Sequence, residues 1–232
     1  MEKYIEDNLL GKVIIRTNPR AKRYIVKIQS GKVVGVMPKQ GNEEELLALI
    51  TSNKQKLREK LDKTVTFPLI DESCRIETET FKVNIVLSPV KEYYILQKRG
   101  LLLITCPLKT NFADEEVQKD LRQILINALR HDAQKYLPSR LKSLAKKHGF
   151  QFESVRINNS RTRWGSCSGG KNINLSCHVM QLPWHLIDYI LLHELCHTRE
   201  MNHSPRFWAW MDKVTHQQTQ KLRQELKQHY MW

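Results

Sequence analysis

The sequence has few cysteines, and none of them belongs to a C-x-x-C pair. They are odd in number and widely separated: Cys74, Cys106, Cys167, Cys177 and Cys196. A disulfide framework and a zinc ribbon both require paired or closely spaced cysteines, so we expect neither. The chain also lacks a glycine-rich phosphate loop of the G-x-x-x-x-G-K-S/T type, which makes nucleotide hydrolysis the less favoured enzymatic reaction.

Long apolar runs are missing as well. The first residues, MEKYIED, do not contain the apolar stretch of a signal peptide, and no segment approaches the length of a membrane span. We therefore expect a protein of the reducing cytoplasm with no membrane partner.

Acidic residues are in the minority. There are 24 Asp and Glu against 38 Lys and Arg, which gives a net charge of +14. Such a charge favours polyanions, so nucleic acid or a nucleotide is a possible partner of a basic surface. Lysines spread over helix faces for solubility would give the same total, and the sequence leaves the two interpretations open.

Apolar periodicity predicts an α+β protein with two domains. Residues 1–110 contain several alternating segments and one helix from Asn42 to about Lys63, which predicts a mostly antiparallel sheet with a helix. After Ala113 the spacing becomes helical, with an expected break at Pro138 and a stop at Gly149. Residues 111–232 are therefore predicted as a second domain of helices with a short antiparallel sheet, whose strands are residues 155–158 and 173–176.

The segment between those two strands contains candidate substrate-binding residues. Arg161 and Arg163 can each hold a carboxylate or phosphate bidentately, and Ser166 lies in the same loop. If an edge of this sheet lies beside the histidines of the helix that follows, it can also pair with an extended peptide by strand addition.

The strongest motif is H-E-x-x-H at His193-Glu194-Leu195-Cys196-His197. Histidines four residues apart lie one turn above each other on the same helix face, so both imidazoles can reach one ion. Glu194 lies farther round the helix, where it can hydrogen-bond a water and act as general base. The apolar residues before the motif predict a buried helix beneath a site.

A third ligand is expected from His203. Ser204-Pro205 after it is typical of an N-cap and first helical residue, which places His203 in a turn between two helices. The spacing is also that of metzincins, but Glu200 stands where that pattern has glycine. Three protein ligands with one open position describe a catalytic zinc site.

Taken together, several segments resemble the YgjP-like metallopeptidase family, a relative of the SprT-like and WLM zinc proteases. They are residues 20–23, 163–167, 187–189, the H-E-x-x-H motif and residues 202–208. The resemblance spans nearly the whole chain. It implies a small zincin-like domain with one Zn²⁺ on His193, His197 and His203, and Glu194 as the base.

The sequence thus predicts a zinc-dependent metallohydrolase, in the first place a metallopeptidase acting on peptides or proteins. Arg163 or a nearby backbone amide is expected to stabilise the oxyanion. Two alternatives stay open at this point. One is a metal-dependent nucleoside triphosphate pyrophosphohydrolase, and the other is a nucleic-acid-associated protease of the SprT-like kind.

Overall fold

The computed structural model of the chain describes residues 2–29, 31–63 and 69–231. The fold is α+β, as the sequence predicts, and the chain divides into two compact units, Met1–Pro68 and Leu69–Trp232. This division lies some forty residues before the predicted boundary near residue 110. Among the described helices, none combines the length and apolar character that crossing a bilayer requires.

The first unit is a four-stranded sheet covered by two helices. Its strands are β1 (Glu2–Asp7), β2 (Gly11–Thr17), β3 (Ile25–Gln29) and β4 (Lys32–Met37), in the order β1-β2-β4-β3. The outer pairs are antiparallel and β2 runs parallel to β4. Leu46, Ile50 and Leu57 of the helices pack against buried strand residues such as Val13 and Val33 to form the core.

The single helix predicted for residues 42–63 is two helices, α1 (Glu43–Ser52) and α2 (Lys54–Lys63). Asn42 caps the first one by accepting a hydrogen bond from the Glu44 amide at 2.8 Å, as expected. The interruption is at Asn53, whose side chain donates to the Leu49 carbonyl at 2.9 Å. Asparagine side chains compete with the backbone for such groups, and this competition ends α1.

The second unit begins with a three-stranded sheet that packs against a long helix. The strands are β5 (Lys82–Ser88), β6 (Tyr94–Lys98) and β7 (Leu101–Pro107), and the helix is α3 (Glu115–His148). Gln97 of β6 donates to Asp132 of α3 at 2.9 Å. Gln118 of α3 bonds both backbone groups of Ile70. These long-range contacts attach residues 69–110 to the helical part of the chain, which explains why the division falls at Pro68.

Helix α3 runs through Pro138 without interruption, so the predicted break there is wrong. Proline removes one backbone hydrogen bond from a helix interior. Leu129, Leu137 and Leu141 are fully buried on both sides of it, and their packing keeps the chain helical despite that loss. The predicted stop is confirmed: Gly149 is the C-cap, in the left-handed conformation with φ of 70°.

The remaining elements surround one buried helix. They are β8 (Ser154–Asn158), β9 (Gly165–Cys167), β10 (Asn172–Ser176), α4 (Trp184–His197), α5 (Pro205–Val214) and α6 (Thr219–Leu226). Helix α4 contacts α3, α5, α6 and β9. The sheet order is β8-β10-β9, with β10 parallel to β8 and antiparallel to β9. The strands predicted at residues 155–158 and 173–176 correspond to β8 and β10, which are parallel and not antiparallel as expected. The antiparallel partner of β10 is β9, which forms within the segment expected to be a loop.

Candidate metal centre

Helix α4 is fixed at its start by contacts with α3 and with the segment before β5. Its first amide, that of Trp184, donates to the Glu79 carboxylate at 3.2 Å, which supplies the cap that Pro183 cannot. Arg140 of α3 forms a bidentate salt bridge with Asp188, in which Nη2 of Arg140 donates to Oδ2 at 2.8 Å. The Arg140 guanidinium also lies 4.5 Å from the centre of the Trp184 indole. The helix therefore has a defined position and rotation.

Three histidines converge at the other end of α4. The Nε2 atom of His193 lies 3.2 Å from Nε2 of His197 and 3.1 Å from Nε2 of His203. One nitrogen from each ring lies within 4.8 Å of the other two, a grouping able to hold a metal ion. Nitrogens bound tetrahedrally to one zinc at about 2.0–2.1 Å are about 3.3 Å apart. The two separations from His193 fit ligands of a single small cation.

His203 reaches the helix because the chain reverses between α4 and α5. Ser204 caps α5 by accepting a hydrogen bond from the Phe207 amide at 3.4 Å, and Pro205 is the first helical residue, as the sequence predicts. The reversal also brings the Glu200 carbonyl within 3.1 Å of Nδ1 of His197. A carbonyl can only accept, so Nδ1 holds the proton and the neutral ring leaves an Nε2 lone pair for a metal.

Burial favours the neutral form of the ligand rings. It lowers the pKa of His193 to about 3, with the imidazoles of His197 and His203 adding to the effect. Burial also lowers the pKa of His197. Neutral imidazole is the form that binds metal, so these two rings need not lose a proton near neutral pH to become ligands.

Aromatic side chains of α5 support the three rings. Phe207 is fully buried, and its ring centroid lies 4.9 Å from that of His193, 4.5 Å from His197 and 4.7 Å from His203. Trp208 stacks on the outer face of His203 at 5.6 Å and an interplanar angle of 27°. The rings are thus held by packing before any ion binds, which reduces the ordering that binding requires.

Glu194 lies between the histidines and strand β9. Its side chain is buried, and Oε2 has no hydrogen-bond partner among the described residues. A Cβ at Gly165 of β9 would lie 2.6 Å from Oε1 of Glu194, so only glycine allows this approach of strand to helix. Burial raises the pKa of Glu194 to about 8, and the positive charge of Arg163 opposes the rise. An unpartnered buried oxygen beside three histidines is what a site for a metal-associated water requires.

The segment before β9 is held in place by buried hydrogen bonds. Ser176 of β10 donates from its hydroxyl to the Ser160 carbonyl at 2.6 Å, and its amide donates to the Trp164 carbonyl at 2.8 Å. The fully buried His178 ring bonds Asn159 at 2.9 Å and Gln181 at 2.8 Å through its two nitrogens. These contacts set the course of residues 159–164 and thereby the position of Arg163.

A cleft of about 480 Å³ opens over His193, His203 and Glu194. Besides His193, Glu194 and His203, its walls consist of Arg163, Trp164, Gly165, Tyr189, Ile190, Trp208, Arg223 and Leu226. Arg163, one of the three residues predicted to bind substrate, is among these lining residues. Arg161 and Ser166 are not among these lining residues: Arg161 is exposed, with its charge near His178. Ser166 lies between Gly165 and Cys167 on β9, where alternation turns its side chain to the opposite face.

Sequence reasoning missed Gly165, Phe207 and Arg223 as members of the site. Gly165 and Phe207 lie in segments that carry the family resemblance, residues 163–167 and 202–208, but neither was predicted to be part of the site. Arg223 belongs to a C-terminal segment that the sequence shows as a polar, basic helix. Burial, reinforced by the charge of Glu194, raises the pKa of the nearby Cys167 thiol to about 11, which disfavours its nucleophilic thiolate form near neutral pH.

An α+β domain that brings an H-E-x-x-H helix, a third histidine and an adjacent edge strand to one cleft has the architecture of a metallohydrolase. The particular family is given by sequence. The chain belongs to the YgjP-like family, because the model of the YgjP-like metallopeptidase domain matches residues 22–229. The chain is therefore a member of a metallopeptidase family.

Among solved structures, the chain is similar to the metallopeptidase zymogen of Pyrococcus abyssi abylysin. The identity is 26%, the match covers 40% of this chain and 95% of that one, and the TM-score is 0.35. None of the curated proteins matches the chain.

Proposed function

We propose that the chain is a zinc-dependent peptidase in which His193, His197 and His203 hold one zinc ion and Glu194 is the general base. The observation that supports this most directly is the convergence of three Nε2 atoms, with two separations of 3.1 and 3.2 Å, beside an unpartnered oxygen of Glu194. When bound at a three-histidine site, zinc makes an attacking water acidic near neutral pH and polarises the scissile carbonyl.

The proposed work of Glu194 is proton transfer. Its carboxylate accepts a proton from the attacking water and returns it to the amine of the leaving peptide. Gly165 keeps the carboxylate at the cleft wall, and the absence of a hydrogen-bond partner for Oε2 among the described residues leaves this atom free for that transfer. A divalent cation nearby favours the charged carboxylate, which offsets the effect of burial on its pKa.

Strand β9 is the proposed docking edge for the peptide. It pairs with β10 on one side, and within the described residues no strand pairs with its other side. An extended peptide added there would bond to the β9 backbone while its scissile carbonyl lies beside the histidines. We assign to Arg163, which lines the cleft just before this strand, the stabilisation of the oxyanion or the binding of a substrate carboxylate. Of the three residues predicted to bind substrate, only Arg163 is retained in this proposal.

The test combines metal analysis with a substrate screen. Purified protein is expected to contain about one zinc per chain and to cleave casein or internally quenched peptides, with nucleoside triphosphates screened in parallel. Glu194→Gln should keep the metal and lose about 10²- to 10⁴-fold in kcat. Glu153→Gln is the matched control, because Glu153 is an exposed carboxylate just before β8 and outside the cleft wall. Full activity in Glu194→Gln would remove Glu194 as the base, and turnover of nucleotides alone would remove the peptidase assignment.

A further inference from the structure

Two arginines from different elements line the cleft beside the histidines. Arg163 comes from the segment entering β9, and Arg223 comes from α6, sixty residues later in the chain. Glu194 is the one acidic residue among the described residues of the cleft wall. It is buried, whereas both arginines are exposed. The accessible charge of the cleft is therefore positive.

Neither guanidinium forms a salt bridge: in the described part of the chain, no carboxylate lies within salt-bridge distance of Arg163 or Arg223. The nearest acidic neighbour of Arg223 along α6, Glu225, instead bonds His185 at 2.6 Å. Guanidinium groups without a carboxylate partner at the wall of a binding cleft are well suited to accept one from a ligand, since the planar fork matches carboxylate geometry.

Arg223 is also held in position by the site itself. Its guanidinium lies 4.9 Å from the centre of the Trp208 indole, and Trp208 stacks on His203. This layering of cation, indole and imidazole fixes the charge of Arg223 beside a residue of the metal centre.

We propose that Arg223, together with Arg163, makes this cleft selective for peptides that present a carboxylate next to the scissile bond. The carboxylate is either an Asp or Glu side chain or the free C-terminus of the substrate. The proposal rests on the peptidase activity proposed above and adds the substrate class and a substrate-binding residue on α6.

The experiment measures kcat/KM for two sets of internally quenched peptides with the full-length, metal-loaded protein. In the first set the C-terminus is amidated and residues flanking the cleavage site are Glu or Gln. In the second set the sequence is neutral and the C-terminus is free or amidated. We expect the carboxylate form to be preferred by roughly tenfold or more in at least one set. The set that shows the preference identifies the source of the carboxylate.

Substitutions assign the preference to Arg223. Arg223→Gln should remove most of it, through a rise in KM for the carboxylate peptides that exceeds any rise for the neutral ones. Arg223→Lys should restore part of it. Lys221→Gln removes the same charge from α6 at an exposed position outside the cleft wall and should leave the preference unchanged. The preference should also shrink as salt is raised, because the guanidinium is exposed.

The failure of this inference is distinguishable from the failure of the proposed function. Cleavage of carboxylate and neutral peptides at equal rates would overturn the inference and leave the peptidase intact. An equal loss of preference in Lys221→Gln and Arg223→Gln would do the same, since it would show a general charge effect. If neither set is cleaved by protein that contains zinc, the peptidase assignment and the inference fall together.

Discussion

The Cα atom of Gly165 lies against the carboxylate of Glu194, so that a side chain at this position would occupy the place of the acid. A Cβ built on Gly165 would be 2.6 Å from Oε1 and 2.8 Å from Cδ of Glu194. These atoms come from an edge strand and a buried helix that are 29 residues apart in sequence. Their contact sets where the carboxylate can lie relative to the three histidines.

Gly165→Ala is expected to displace Glu194 without removing a metal ligand. The zinc content should stay the same, while kcat/KM for a quenched peptide falls by about 10²-fold or more, because misplacement by an ångström costs that much. Gly169→Ala is the matched control, since a Cβ there meets nothing within 4 Å. Wild-type activity in Gly165→Ala would show that the position of Glu194 is not limiting.

His203→Asn is expected to remove the third metal ligand. The zinc affinity should fall by at least about 10²-fold, measured by competition with a chelator, and activity should be lost. Since a ligand stabilises the state that binds it, the difference in melting temperature between zinc-loaded and chelator-treated protein should shrink in the variant. His216→Asn serves as control, because His216 is exposed and its φ of 52° is one that asparagine tolerates. Unchanged zinc affinity in His203→Asn would exclude His203 from the site.

Phe207→Leu is expected to loosen the support beneath the three imidazoles. We expect a loss of about 1–3 kcal/mol in the free energy of unfolding and a zinc affinity lower by roughly 10-fold, as for other residues that orient metal ligands. Met211→Ala, one turn farther along α5 and also fully buried, should destabilise the fold by about 2–5 kcal/mol. Its zinc affinity should stay unchanged. Equal effects of both variants on zinc affinity would show that Phe207 acts only through stability.

His178 is expected to make the fold sensitive to acid. Burial, with the charge of Arg161 as a smaller cause, lowers the pKa of this ring to about 4 in the folded protein, against 6.5 for an ordinary histidine. The unfolded chain therefore takes up a proton first as the pH falls. The contribution of His178 to stability is complete above pH 6.5 and is lost as the pH approaches 4, by up to about 3 kcal/mol.

The measurement for His178 is urea unfolding of zinc-free protein between pH 7 and 5. Other buried histidines titrate in the same direction, so the informative quantity is the difference between wild type and His178→Gln at each pH. We expect wild type to lose stability more steeply than the variant over this range. Parallel curves for the two proteins would mean that the ring is not kept neutral by the fold.

Much of the metal centre could be predicted from local spacing. The one-turn separation of His193 and His197, the Ser204-Pro205 helix start and the Gly149 helix stop depend on backbone geometry within a few residues, and the structure has all three. The membership of the YgjP-like family is confirmed. The zinc identity, the role of Glu194, the binding of nucleic acid to the basic surface and the cytoplasmic location stay predictions.

Local sequence patterns predict secondary structure less reliably where tertiary packing opposes the local preference. Pro138 predicts a helix break, but the buried leucines around it keep α3 continuous. The segment from Ser160 to Ser168 has the composition of a loop, yet pairing with β10 makes three of its residues a strand. The sheet of residues 82–107 falls in the first predicted domain, whereas in the structure it lies in the unit Leu69–Trp232, where it contacts α3.

The sequence by itself determined the helix that carries His193, Glu194 and His197. It also determined that the two histidines share a face, because residues one turn apart on a helix lie next to each other whatever the rest of the chain does. Only the tertiary structure decided that Gly165 closes on Glu194, that Phe207 supports all three imidazoles and that Arg223 lines the cleft. The residues that meet at this cleft lie up to about sixty positions apart in the chain. They are brought together by the packing of whole helices and strands, which no short-range spacing records.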